Sequence, residues 1–215
     1  MLSHSGNRLR RAFIGAALFG AMSGTASAYT ATLTPLAPKT VYLQVGVGSF
    51  TSNYNNGGQP LNNTTINTVS ATVAAAAVGN GTAQAMTTNS TATQSFWDGF
   101  TFCSVPGQVY IGGFYRTTGA TTSAALITAT VPAALTNASG STIPFSKISW
   151  TSSGNGDTGA QPFPSGTFVN GAAQNVGSMG SNTWNESCLT FKYANNTVPA
   201  AGTFTGVVRY TLSSP

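Results

Sequence analysis

Apolar and polar residues alternate along most of this chain with a period of two, the spacing of a pleated strand with one buried face. Val41, Leu43, Val45 and Val47 interleave with Tyr42, Gln44, Gly46 and Gly48. The pattern recurs at 69–73, at Phe100 and Phe102, and from Val109 through Ile111 to Phe114 and Tyr115. Residues 124–131 read as a short apolar strand closed by Pro132, and 143–150 and 189–193 continue the series. The last run is the cleanest: Phe204, Gly206, Val208, Tyr210 and Leu212 share one face, and Thr203, Thr205, Val207, Arg209 and Thr211 the other. Turn signals separate these runs, among them Asn55-Asn56-Gly57-Gly58, Gly79-Asn80-Gly81, Pro106-Gly107 and Gly154-Asn155-Gly156-Asp157. Only 74–77 hints at a helix, and the polar stretch 82–95 reads as a long loop or an exposed edge strand. About eight or nine short strands with frequent turns predict an all-β fold, an antiparallel sandwich or barrel.

The N-terminus breaks this pattern. Arg8, Arg10 and Arg11 precede an apolar run from Ala12 to Met22, and Ala26-Ser27-Ala28 follows. Basic, apolar and small-x-small segments in that order read as a cleaved signal peptide over 1–28. The apolar run is roughly 11 residues, short of the ~20 a membrane-spanning helix needs. The expected mature chain, 29–215, suits a single domain and has no further span. Its location is the periplasm, the cell surface or the medium.

Charge then takes on a different meaning. The whole chain carries 8 Lys+Arg against 3 Asp+Glu. Three of those arginines lie in the leader, so the rest is left with Lys39, Arg116, Lys147, Lys192 and Arg209 against Asp98, Asp157 and Glu186. No basic cluster remains to recognise nucleic acid. Charged residues make up 5% of the chain, so Thr, Ser, Asn and Gln must supply the polar surface, while a 41% hydrophobic content is enough to bury a core. Two cysteines, Cys103 and Cys188, are expected to pair in an exported protein, with two buried thiols as the alternative. The bridge would close a loop worth about 3–4 kcal/mol in the chain-entropy model.

Candidate chemistry is sparse. The one histidine, His4, lies in the leader, which leaves no imidazole for a catalytic triad or a His-based metal site. No metal site and no cofactor are expected, and the protein reads as a non-enzyme. Asp98 beside Trp97 and Glu186 near Trp184 are the carboxylates a disulfide would bring together, as a glycosidase pair would require. The plainer reading is that the tryptophans pack and the acids cap turns. Asp157 alone is too little for calcium. Trp97, Trp184 and Tyr54 could form an aromatic platform for a neutral glycan.

The segment 202–215 resembles the C-terminal strand of secreted bacterial pilin-type subunits, including chaperone–usher fimbrial subunits and spore-coat-U-like domains. Gly202 stands 14 positions from the end and is followed by alternating Phe204, Val208, Tyr210 and Leu212, as in the fimbrial pattern. The resemblance implies an immunoglobulin-like or pilin-like β-sandwich and a structural, surface-assembly role through strand pairing. The implied partners are other subunits, whether copies of this chain or a periplasmic chaperone. The alternative is a secreted module that binds a carbohydrate or another surface polymer.

Overall fold

The computed structural model describes residues 30–119, 121–155 and 160–215. The leader over 1–28 and Asp157 lie outside the described residues. The strands are, in chain order, β1 (Thr30–Thr32), β2 (Thr40–Val45), β3 (Val69–Ser70), β4 (Gln84–Ala85), β5 (Thr87–Thr88), β6 (Val109–Arg116) and β7 (Ala125–Thr130). They continue as β8 (Ala134–Thr136), β9 (Thr142–Pro144), β10 (Ile148–Ser153), β11 (Gly166–Thr167), β12 (Ala173–Met179), β13 (Thr183–Tyr193) and β14 (Arg209–Ser213). These strands all pair antiparallel. The fold is all-β, as the periodicity predicts.

Two sheets carry the architecture. The larger runs β11-β10-β13-β6-β2, with β1 and β4 also paired to β13; the smaller runs β12-β7-β14. Strand β13 organises the larger sheet. Its first half faces β6 on one edge and β1 on the other, and its second half pairs with β10 and β4. The main core fills the space between the sheets. Ile111, Ile127, Ala129, Trp150, Val176, Met179, Leu189 and Phe191 meet there, each on the inward step of its strand's pleat. In β7, Ala125, Ile127 and Ala129 are buried while Leu126 and Thr130 are exposed, which is the alternation expected of a strand wet on one side.

The opposite face of the larger sheet is not wet. The long excursion 46–108 between β2 and β6 folds back over it. Phe50, Tyr54, Phe96, Trp97 and Phe102 then cover Tyr110, Phe114 and Trp184. This second layer explains why β6 and β13 are buried along almost their whole length on both faces. The Cys103–Cys188 disulfide, with its Cα atoms 5.5 Å apart, ties the excursion to the middle of β13.

Several predicted elements differ in extent. The 143–150 run divides into β9, a 3-10 turn over Phe145–Lys147 and β10. The 69–73 run shortens to the two residues of β3, and the helical hint becomes a single 3-10 turn at Ala75–Ala77. Phe100 and Phe102 form no strand; Thr101 makes one isolated bridge to Gln94. The polar stretch contributes the short β4 and β5. The last run pairs with β7 only over Arg209–Ser213, because Thr205 leaves that sheet and bridges to Thr136 of β8 at 2.9 and 3.0 Å.

Candidate functional site

The C-terminal strand sits at the edge of the smaller sheet. β14 pairs with β7 from Arg209↔Thr130 to Ser213↔Leu126, and no described strand pairs with its other edge. Phe204, Val208, Tyr210 and Leu212 turn inward against the main core. Arg209, Thr211 and Ser213 are exposed, and Val207 is 71% exposed. Gly202 has φ +143°, a conformation that disfavours a side chain. Gly206 is required for space: a Cβ there would stand 2.6 Å from Phe145 and 2.8 Å from Leu135. The strand also lies alongside β2, and Lys39 donates a hydrogen bond to the Pro215 carbonyl, so the chain end is tied to the start of β2.

The three platform residues do come together. Tyr54 lies 5.2 Å from Trp184, Trp97 lies 6.1 Å from Trp184, and Tyr54 and Trp97 are 6.0 Å apart between ring centroids. Two backbone hydrogen bonds join their loops, Tyr54 N–H to Phe96 O and Asn55 N–H to Trp97 O, both 3.0 Å. Trp184, however, is fully buried and offers no face to a ligand. It is the floor on which the other two pack, and only Trp97 and Tyr54 keep partial exposure. Arg116 holds this corner, donating to Tyr54 Oη at 2.6 Å and twice to Thr34 O.

Behind the disulfide lies a buried acid. Glu186 faces Gly112 across the β13–β6 ladder. Tyr110, two residues back on the same face of β6, lays its ring over Gly112 and donates to Glu186 Oε2 at 2.6 Å. A Cβ at Gly112 would stand 2.3 Å from the Tyr110 oxygen, so glycine is what lets the phenol reach the acid. Trp184 Nε1–H donates to the same Oε2 at 2.9 Å. The Ser95 hydroxyl approaches the carboxyl without a well-formed hydrogen bond, and Oε1 has no donor among the described residues.

Burial pushes the Glu186 carboxyl above the ordinary glutamate range; Tyr110, Ser95 and Trp184 oppose the rise, and the Asp98 charge adds to it. Asp98 itself caps its own loop, accepting the Phe100 N–H at 2.9 Å. Because Glu186 is fully buried, no substrate reaches its carboxyl in this conformation, and the two acids do not form an open hydrolytic pair.

A folded-state pKa raised above the unfolded one means the fold favours protonated Glu186. That stability is fully present below about pH 4, where the unfolded glutamate is also protonated, and is lost as pH rises through the folded value. Glu186→Gln removes the charge and keeps acceptors for Tyr110 and Trp184. It is expected to stabilise the protein at pH 7, with the gain vanishing near pH 4. Urea unfolding at both pH values checks this; a variant weaker than the parent at both would refute it.

The sequence left Tyr110 and Ser95 unrecognised as partners of Glu186. The only available signal was Gly112, a small residue inside an aliphatic strand, which marks a close approach. No family model matches the chain, and no curated protein or solved structure matches it either.

Proposed function

We propose that this protein is an exported structural subunit that assembles by strand pairing, with the outer edge of β14 as the contact. The observation that carries the reading is that, among the described residues, β14 is paired on one edge only, while its inward residues are already seated in the core. An added strand would gain main-chain hydrogen bonds along Arg209–Ser213 without disturbing that packing. The leader pattern and the disulfide are in keeping with an oxidising compartment.

The test is light scattering after size exclusion, with electron microscopy of any large fraction, on the parent and on Thr211→Lys/Ser213→Lys. Both positions are exposed, and lysine on a sheet edge opposes edge-to-edge pairing. The expected result is a polymer or chaperone complex from the parent and a monomer from the variant. A parent that stays monomeric at all concentrations, or an assembly indifferent to the lysines, sinks the reading. Deleting 202–215 is a poorer test, since it also removes Tyr210 and Leu212 from the core.

A second reading, a glycan-binding surface, is supported by Trp97 and Tyr54, which are adjacent and part-exposed on hydrogen-bonded loops. Its signature would be saccharide binding lost in Trp97→Ala.

A further inference from the structure

Where β1 and the first half of β13 face β12 across the seam between the sheets, there is an open cleft of about 630 Å³. That is within the range of about 300–1,000 Å³ common for small-molecule sites. Its polar lining residues are Gln161, Asn175, Asn185, Thr30 and Ser178. Pro162 and Pro164 supply apolar surface, and no charged side chain lines the cleft among the described residues.

The walls are fixed from behind. Phe163 is buried and anchors the 160–164 loop against β12 at Gly177. A Cβ on Gly177 would lie only 3.0 Å from the Phe163 ring and 3.1 Å from Pro162 O, so glycine allows that loop to close in. Trp150 Nε1–H donates to Pro164 O at 2.9 Å, and Ser187 Oγ–H donates to Gln161 Oε1 at 3.1 Å. Asn185, 5% exposed, is held by its Nδ2–H bond to Thr183 Oγ1 at 2.9 Å. On the facing wall, the β12–β7 register shifts between Asn175 and Gly177, and Asn175 Oδ1 accepts the Gly177 N–H at 3.0 Å. The Asn175 Nδ2 and the Ser178 hydroxyl have no protein partner among the described residues.

This chemistry narrows the ligand. An anion would call for arginine, lysine or a nest of backbone N–H groups, and a metal cation for carboxylates. An apolar molecule would cover amides and hydroxyls without pairing them. The bulge breaks the ladder at the cleft wall, which works against an added peptide strand. A molecule whose hydroxyls both donate and accept matches carboxamides and hydroxyls side by side. We infer that this cleft is a binding site for a neutral saccharide, read by Asn175, Ser178, Gln161 and Asn185. It shares no residue with the β14 edge, and a monomer could satisfy it.

The test titrates protein expressed from the 215-residue sequence with neutral mono- and disaccharides by calorimetry. Glucuronate, glucose 6-phosphate and a short Thr-rich peptide run beside them. Saturable binding of at least one neutral sugar is expected. Ser178→Trp, which fills the cleft from an exposed position, should weaken it at least tenfold, and Lys192→Ala, exposed on β13 and outside the cleft, should leave it unchanged. Unfolding midpoints of all variants are recorded; should Ser178→Trp fail to fold, Asn175→Ala carries the comparison with the same expected loss. The inference is overturned if no neutral sugar saturates, or if the acidic sugars or the peptide bind in preference. It is equally overturned if Trp97→Ala abolishes sugar binding while the cleft variants retain it.

Discussion

Replacing Trp184 by alanine is expected to cost about 3–5 kcal/mol of folding stability. The indole is fully buried and lies within 6.1 Å of the Tyr54, Phe114 and Trp97 rings. Its N–H is one of the two well-formed hydrogen bonds to buried Glu186. Alanine leaves a cavity under the excursion and takes a donor from a carboxyl whose other oxygen has no partner among the described residues. Out of a typical total of about 5–15 kcal/mol, that loss leaves a marginal protein. Equilibrium unfolding in urea with an unchanged slope measures it. Trp97→Ala, part-exposed on the same cluster, should cost far less. A Trp184→Ala loss below about 1 kcal/mol would show that the excursion is not held by this ring.

Removing the bridge with Cys103→Ser/Cys188→Ser is expected to cost about 3–4 kcal/mol, since the bond closes a span of 85 residues in the unfolded chain. Both cysteines are buried, so two hydroxyls are also left in an apolar cluster with Phe102 and Tyr110. The loss should be uneven. Amide exchange is expected to speed up first in the 92–103 stretch lying over β13, while β7 and β12 keep their protection until global unfolding. Uniform acceleration across both sheets would contradict this division of the molecule into a sandwich and an attached layer. The cost should not simply add to that of Trp184→Ala, because both substitutions release the same excursion.

Strands with one wet face were legible in the sequence. β7 and the inward side of β14 show the alternation directly, because solvent chose the residues on the other face. β13 was legible only from Leu189 onward. Its first half, Thr-Trp-Asn-Glu-Ser, is covered on both sides by protein, so its residues were selected for particular partners rather than for a wet or dry face. β12 escaped notice for another reason. Ala-Gln-Asn-Val-Gly-Ser-Met has little intrinsic strand preference, and pairing with β7 around a bulge holds it in place. Phe100 misled in the opposite direction, since it is 65% exposed at a loop tip.

The candidate sites follow the same division. Pairing of the cysteines and proximity of the two tryptophans could be read from spacing and the leader pattern. The burial of Trp184 could not, because it depends on where the 46–108 excursion lands. The cleft carboxamides were hidden among many Asn and Gln residues, and only the chain's path gathers Gln161, Asn175 and Asn185.

The central place of β13 bears on how the protein is made. Four strands that precede it in the chain, β1, β4, β6 and β10, take hydrogen bonds from it, yet it spans residues 183–193 of 215. Among the described strands, β1 and β10 have no neighbour on that edge, and β6 has only β2, until β13 has been delivered. Pairing across such distances makes folding slow and late. The larger sheet of a nascent chain of this design stays open until β13 arrives to join its strands.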